Sequence, residues 1–165
     1  MTGESEHDVR IVVNLERQLL TLRRGVEELA AWLVSTARNG PGEKLDSQCT
    51  PRGHHEICEK IGDGCVDGTV FVGRRPTGEH YSAELRKCAP ERDWILTRIL
   101  WLRGCEPGRN AGGDVDSRSR YIYIHGAPDD VSMGEPGSHG CVRMRNPDVR
   151  ALFDCVGVGT KVMIE

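Results

Sequence analysis

Glycine interrupts this sequence so often that it leaves room only for short regular elements. The chain has 20 glycines among 165 residues, and aromatic residues make up only 5%. Short apolar segments bounded by glycine are typical of β-strands joined by tight turns. The pattern therefore predicts a mainly β fold with one or two short helices. The length suits a single domain, which we place at residues 1–165.

Several segments are predicted as strands because β-branched or alternating apolar residues dominate them. The clearest is 121–126, where tyrosine alternates with isoleucine until Gly126. The run 18–22 follows 9–15 closely enough to pair back on it as a hairpin, which Gly25 would end. The remaining predicted strands are 54–62, 68–75, 94–102 and 160–165.

Two short segments have helical signatures instead. Residues 82–89 begin with Ser82, and serine is a preferred helix N-cap. Before 147–156, Asn146 stands as a cap and is followed by a proline in the first turn. The expected core-facing residues of this second helix are Val149, Leu152, Phe153 and Val156.

Residues 26–37 fit two interpretations. Their apolar residues match a helical period and also match the alternation of a strand, while helix propensity alone favours a helix. The segments 39–48 and 106–119 are rich in turn residues and are predicted loops.

The charge balance and the N-terminus exclude several partners. The formal net charge is -3 and the pI is about 6.1, so neither nucleic acid nor an anionic membrane is an expected partner. No apolar run reaches the roughly 18 residues of a membrane span. The opening MTGESEHDVR lacks the basic start and apolar core of a secretory signal. We therefore expect a cytoplasmic protein, or a periplasmic one if the chain is a processed form.

The seven cysteines do not form a disulfide pattern, since their number is odd and their spacing is wide. We expect reduced thiols. Cys141 stands apart because polar residues and glycine surround it, whereas Cys155 falls near the apolar face of the second helix. Small buried hydrophobic side chains are the expectation for Cys49, Cys58, Cys65, Cys88, Cys105 and Cys155.

A metal-binding domain built on His54, Cys58 and Cys65 is one alternative. Structural zinc sites usually pair cysteines two to four residues apart. Here six residues separate the two cysteines and no second pair follows, so we expect no metal and no cofactor. His54 and His55 are adjacent and would point to opposite faces of a strand, so at most one faces any site.

Three large side chains belong to the predicted strand 94–102. Trp94 and Trp101 are expected in the core. Arg98 alternates with the apolar residues and is predicted to face the cleft.

One loop concentrates nucleophilic and polar residues, in the order Ser138, His139, Gly140 and Cys141. A thiol with a pKa of about 8.5 is mostly protonated at neutral pH and needs a base. His125 ends the preceding strand and can face Cys141 across the loop, take its proton and return it to a leaving group. Gly140 lets the backbone approach a substrate closely, and Arg143 can hold a carboxylate through two hydrogen bonds.

These residues resemble the signature of the L,D-transpeptidase family, also called YkuD-type. That signature is a histidine at a strand end, a spacer, Ser/Thr-His-Gly-Cys, a small aliphatic residue, and Arg or Asn. IYIHG at 122–126 and GSHGCVRM at 137–144 match it, and VSTARNG, TPRG and VGTKVMI match further elements of the family. The resemblance implies a β-sandwich-like or barrel domain in which 26–37 is a strand that runs into a turn.

The resemblance also implies roles. Cys141 would be the nucleophile and His125 the general base, oriented by the carbonyl of Gly126. The residues implied to shape the oxyanion site or to contact the substrate are Ser138, His139, Gly140 and Arg143. Family members attack the bond between a diamino acid and the following D-alanine in peptidoglycan stem tetrapeptides, which leaves a thioester. An amine acceptor then gives a crosslink, and water gives carboxypeptidase action.

We expect an L,D-carboxypeptidase that trims D-alanine from recycled stem peptides (muropeptides). The spacer between His125 and Ser138 is short for a crosslinking member, and Ala127 and Ala37 depart from the usual threonine and glycine. Two alternatives stay open. One is an L,D-transpeptidase that forms 3-3 crosslinks or exchanges D-amino acids, and the other is a catalytically silent muropeptide-binding domain.

Overall fold

The computed structural model describes residues 8–165 and confirms the mainly β architecture. Its strands are β1 (Arg10–Asn14), β2 (Leu19–Arg24), β3 (Glu27–Leu33), β4 (Gly53–Ile61), β5 (Thr69–Val72), β6 (Arg75–His80), β7 (Ile95–Gly104), β8 (Tyr123–Gly126), β9 (Val142–Met144) and β10 (Lys161–Ile164). The helices are α1 (Ala83–Cys88) and α2 (Asn146–Cys155), with a 3-10 turn at Gly113–Val115. In residues 8–165, neither helix has the length and apolar character needed to cross a bilayer.

The sheet branches at β7, and this branch creates the core. The main path runs β3-β2-β1-β10-β4-β7-β5-β6, while β8 pairs with both β7 and β9. The β8–β9 pair is parallel, and β8 is antiparallel to β7. Side chains from β1 and β2 therefore meet side chains from β8, β9 and α2 across one buried layer, which includes Ile11, Val13, Leu20, Ile124, Val142, Met144, Leu152 and Phe153.

Most predicted strands are confirmed. The segments 9–15 and 18–22 form the antiparallel hairpin β1–β2, and Gly25 has a left-handed φ of 58° in the turn that follows. Residues 26–37 contain strand β3 instead of a helix, as the family resemblance implies, because pairing with β2 satisfies their backbone groups.

The predicted strand 68–75 is wrong beyond Val72. Gly73 and Arg74 both have positive φ angles, 56° and 64°, so the chain turns there and returns as β6, which was not predicted. The strand 121–126 is also shorter than expected, because Tyr121 has a left-handed φ of 57° and pairing starts two residues later.

Both predicted helices exist, although the start of the second differs. In α1, the Ser82 hydroxyl accepts a hydrogen bond from the Leu85 N–H at 3.0 Å, as a serine cap should. In α2, Arg145 occupies the cap position and Asn146 lies inside the helix, so the predicted Asn146 cap is wrong. The side chain of Asn146 is engaged elsewhere, since its Oδ1 accepts a hydrogen bond from the Thr97 hydroxyl at 2.6 Å.

Arg98 does not face the cleft. A register shift between Leu96 and Ile99 breaks the alternation of β7, and a bulge of this kind redirects the side chains within it. The Arg98 guanidinium is instead buried against the ring of Phe153 and donates to the carbonyl oxygen of Cys65 at 2.8 Å. The two tryptophans of the segment, Trp94 and Trp101, are buried as predicted.

The prediction of buried cysteines is wrong for half of the six. Cys88, Cys105 and Cys155 are exposed, whereas Cys49, Cys58 and Cys65 are partly buried. Cys155 lies beside the apolar face of α2 and not on it, because Leu152 and Phe153 are the residues that turn toward the core.

Candidate active site

Strands β8 and β9 bring the predicted site residues together. Their parallel register pairs His125 with Arg143 and Ile124 with Val142. Cys141 directly precedes β9, so the same pairing places it beside the start of β8. The loop between the two strands therefore begins after Gly126, next to His125, and ends at Cys141.

A cavity of about 540 Å³ opens at this point. Five of the predicted site residues line it: His125, Ser138, His139, Cys141 and Arg143. The predicted glycines, Gly126 and Gly140, contribute through their backbone carbonyls. The cavity also has lining residues that sequence reasoning did not single out, namely Arg74, Asp93, Arg120, Tyr121 and Tyr123.

His125 is held in one orientation. Its Nδ1 lies 2.7 Å from the carbonyl oxygen of Gly126, which can only accept, so Nδ1 carries the hydrogen and Nε2 is the free acceptor. Burial lowers the pKa of His125, while the nearby carboxylate of Asp93 raises it. The imidazole is therefore neutral at pH 7.

The Cys141 thiol is held by backbone groups. Its Sγ donates to the carbonyl oxygen of Tyr121 and accepts from the N–H of Tyr123, both at 3.3 Å. Burial raises the pKa of Cys141 to about 12. Both shifts favour the uncharged forms of the two side chains, a thiol at Cys141 and an imidazole at His125.

Hydrogen bonds between side-chain hydroxyls and the backbone hold the loop before Cys141 in place. The Ser138 hydroxyl donates to the carbonyl oxygen of Cys141 at 2.6 Å and accepts from the Gly140 N–H at 3.2 Å. Thr50 joins two segments here, because its hydroxyl donates to the Gly140 carbonyl at 2.8 Å and accepts from the Ala37 N–H at 3.0 Å. The VSTA and TPRG segments therefore support the cysteine loop. Gly140 itself has a φ of 133°, a value that L side chains rarely adopt.

Arg143 enters the cavity from β9. Its Nη2 donates to the hydroxyl of Ser35 at 2.9 Å, and its buried Nε has no hydrogen-bond partner within residues 8–165. A methyl group built on Gly137 would lie 2.6 Å from Nη2, so this glycine makes room for the guanidinium. The carboxylate of Asp93, which lines the same cavity, raises the pKa of both Arg143 and Cys141.

Arg120 has a structural role in the wall of the cavity. Its guanidinium donates to the carbonyl oxygens of Glu43 and Cys49, at 3.1 and 2.8 Å, and reaches the Ser47 hydroxyl at 3.3 Å. These contacts hold the 42–49 loop beside the loop that contains Ser138 and Cys141.

The sequence held weak signals for the residues that were missed. Arg74 follows glycine in a two-residue turn, and Asp93 directly precedes a buried strand. The sequence does not indicate that either residue belongs to the site, because only the pairing of β5 and β8 with β7 brings both residues to the cavity.

The alternative metal site does not assemble. Within the described part of the chain, no group of three or more His, Cys, Asp or Glu side chains is placed to hold a metal ion. His54 is exposed, and Cys58 packs against the apolar cluster around Phe71. His55 faces the opposite side of β4, where it is buried and bonded to the hydroxyl of Ser117 at 2.8 Å.

Comparison with known sequences agrees with this geometry. The YkuD family, described as the L,D-transpeptidase catalytic domain, matches residues 8–164. The probable L,D-transpeptidase YbiS of Escherichia coli K12 is 49% identical over 43 residues, which are 26% of this chain and 14% of that protein. The putative L,D-transpeptidase YkuD of Bacillus licheniformis is 39% identical over 67 residues, which cover 40% of this chain and 41% of the relative.

Solved structures share the fold at low identity. An L,D-transpeptidase from Mycobacterium smegmatis superposes with a TM-score of 0.56 at 18% identity, over 96% of this chain and 58% of the other. L,D-transpeptidase 3 from Mycobacterium tuberculosis, solved with a faropenem-derived adduct, gives a TM-score of 0.59 at 17% identity, over 96% of this chain and 60% of the other. The chain thus spans less than two thirds of the length of these relatives. Its match to the family along nearly all of the described residues nevertheless shows that it belongs to the L,D-transpeptidase catalytic domain family.

Proposed function

We propose that this protein is a cysteine acyltransferase that acts as an L,D-carboxypeptidase on peptidoglycan stem tetrapeptides and releases the terminal D-alanine. The observation that carries the proposal is the shared cavity of Cys141 and His125, with the imidazole fixed by the Gly126 carbonyl. A neutral imidazole with a free Nε2 is the form that can accept a proton from a thiol.

The first half of the reaction forms a thioester. The Cys141 thiol gives its proton to Nε2 of His125 as Sγ attacks the carbonyl carbon of the diamino acid. The backbone N–H of Cys141 stabilises the resulting oxyanion, and Arg143 holds a carboxylate of the peptide. The C–N bond then breaks, the imidazolium returns the proton to the departing amine, and D-alanine leaves.

The second half regenerates the enzyme. Water attacks the thioester while His125 accepts one of its protons. The C–S bond breaks and the proton returns to Sγ, which leaves a tripeptide and the neutral thiol. Because the thiol has a raised pKa, it is a poor resting nucleophile, and proton transfer to His125 has to accompany the attack.

The proposal of hydrolysis instead of crosslinking is supported by the short spacer between His125 and Ser138 and by the cavity at Cys141. The cavity that contains Cys141 shares no lining residue with the cavities at α1, at the end of α2 and beside β1 and β10. A small molecule such as water needs no second binding groove. A second peptide, as the acceptor of a crosslink, would need one.

We also propose that the reaction takes place in the cytoplasm, on recycled peptides. Support comes from the seven cysteines, all of which are free thiols, as is usual in a reducing compartment. Cell fractionation with a protease-protection control tests this point, and a protein found outside the inner membrane would refute it.

Mass spectrometry of the products tests the reaction. The protein is incubated with a stem tetrapeptide, alone and with a free D-amino acid. We expect a product that lacks one alanine, together with one equivalent of D-alanine. A peptide dimer or an exchanged terminal residue would instead identify transpeptidation. Binding without any turnover would identify a silent muropeptide-binding domain.

A further inference from the structure

The hairpin between β5 and β6 places an unusual arginine at the cavity. Its two turn residues, Gly73 and Arg74, both line the cavity that contains Cys141. Arg74 has a φ of 64°, a left-handed conformation that is unfavourable for a residue other than glycine. Glycine or asparagine is the usual choice in such a turn, so the turn itself does not require an arginine.

Three aromatic rings hold the Arg74 side chain in place. Its guanidinium carbon lies 4.4 Å from the ring centre of Trp101 and 5.2 Å from that of Tyr121. Its Nη1 donates to the hydroxyl of Tyr123 at 3.1 Å. Stacked in this way, the guanidinium keeps its planar edge in a fixed direction, which reduces the entropy lost when it binds a ligand.

Arg74 forms no ion pair with a carboxylate of the described residues. The ion pairs found in residues 8–165 join other cations, and none of them includes Arg74. The other two cavity arginines differ, because Arg120 is bonded to loop oxygens and Arg143 to the hydroxyl of Ser35. Arg74 is therefore the cavity arginine whose guanidinium is held by aromatic side chains and still has N–H donors available for a ligand.

We infer that Arg74 is a substrate-binding residue that recognises a carboxylate of the stem peptide. The inference rests on the proposed function, since it names the substrate group that enters this side of the cavity. A guanidinium edge and a carboxylate match through two parallel hydrogen bonds. Two carboxylates flank the scissile bond of such a substrate, one on the leaving D-alanine and one at the distal end of a diamino acid such as diaminopimelate.

Kinetics with matched variants and substrates separate these sources. Arg74→Met keeps an apolar stem against the rings, and Arg75→Met is the control, since Arg75 is exposed and lies outside the cavity lining. Loss of a charge-assisted hydrogen bond predicts that Arg74→Met lowers kcat/KM by roughly 10- to 100-fold. Arg75→Met should match the wild type.

The substrate series identifies the carboxylate. If Arg74 binds D-alanine, the difference between wild type and Arg74→Met disappears with a tetrapeptide whose terminus is an amide. If it binds the diamino acid, the difference disappears when lysine replaces diaminopimelate. The inference would be overturned if Arg74→Met lowered kcat/KM equally for the diaminopimelate tetrapeptide, its C-terminal amide and the lysine tetrapeptide. It would also be overturned if Arg74→Met did not lower kcat/KM at all.

Two further measurements keep the result interpretable. Arg74→Gly relieves the left-handed conformation of the turn, so the variant should fold and still show the loss of kcat/KM. Tetrapeptide affinity is measured in a Cys141→Ala background with and without Arg74→Met, which requires no chemistry. Weaker binding by the double variant supports the carboxylate contact even if the wild type proves inactive, an outcome that would refute the proposed function alone. Unchanged affinity beside normal wild-type turnover would refute only the role of Arg74.

Discussion

The Nδ1 of His125 and the carbonyl oxygen of Gly126 lie 2.7 Å apart, within two consecutive residues of β8. The contact fixes the tautomer of the ring without a third side chain. Position 126 has to be a glycine for a separate reason, because a Cβ there would clash with Oδ1 of Asn146 and with the carbonyl oxygen of Leu96. The imidazole of His125 is thus oriented by a backbone carbonyl, and that backbone is held by close packing.

The first prediction concerns the acidic limb of the pH profile. Burial lowers the pKa of His125, and the neutral ring is the productive form, so kcat/KM should fall with a midpoint below pH 6.5. The Asp93 carboxylate raises that pKa, and Asp93→Asn should therefore move the limb to still lower pH. Steady-state kinetics from pH 4.5 to 9 measure it, with the exposed Glu91→Gln as the control. A limb that shifts upward in Asp93→Asn would contradict this electrostatic account.

The second prediction tests Arg143 without removing its charge. Gly137→Ala places a methyl group 2.6 Å from Nη2 of Arg143, which forces the guanidinium off the Ser35 hydroxyl. We expect kcat/KM to fall about tenfold, the cost of one misplaced charge-assisted contact. Gly157→Ala is the matched control, since no atom lies within 4 Å of its added methyl group. Normal kinetics in a folded Gly137→Ala protein would mean that Arg143 does not contact the substrate.

The third prediction concerns stability. His55 is buried, with Nδ1 3.0 Å from the Gly53 carbonyl oxygen and Nε2 bonded to Ser117, and burial lowers its pKa. Above pH 6.5 the His55 ring is neutral in both the folded and the unfolded chain, so its full contribution to the free energy of unfolding is present. As the pH falls below 6.5, the unfolded chain takes up a proton that the folded ring resists, so the free energy of unfolding decreases until the lowered pKa is reached. Each unit of lowering contributes about 1.4 kcal/mol.

Urea unfolding between pH 7.5 and 5 measures this effect. His55→Gln should be less stable at pH 7.5 and should lose less stability toward pH 5 than the wild type. His54→Gln, at the exposed neighbouring position, should keep the wild-type slope. An unchanged slope in His55→Gln would show that other groups cause the pH dependence.

The strands and the position of the Ser-His-Gly-Cys loop beside His125 were predictable because their signals are local. Alternation in YIYI and the Ser-His-Gly-Cys run are visible in a few residues, and α1 begins at the serine that its sequence marks. Residues 26–37 show the limit of local patterns. Their periodicity fits a helix, and only the pairing of β3 with β2 decides between the two forms.

The parts that were missed depend on contacts between distant segments. The bulge in β7 that turns Arg98 away from the cleft arises from the pairing of β7 with β8. The amino-acid sequence of β7 does not predict this bulge. Asp93 and Arg74 join the site because β5, β7 and β8 are neighbours in the sheet. The exposed position of Cys155 follows from how α2 is rotated on the core, which two buried residues, Leu152 and Phe153, determine.

The most direct test of the account is the mass of the intact protein during turnover of a stem tetrapeptide, with the modified residue mapped by digestion at low pH. We predict a tripeptide thioester on Cys141 that is absent from Cys141→Ala. The thioester should still form in Cys88→Ala, the control, because Cys88 is an exposed thiol outside the cavity. An adduct on another cysteine, or release of D-alanine by Cys141→Ala at the wild-type rate, would contradict the assignment of Cys141 as the nucleophile.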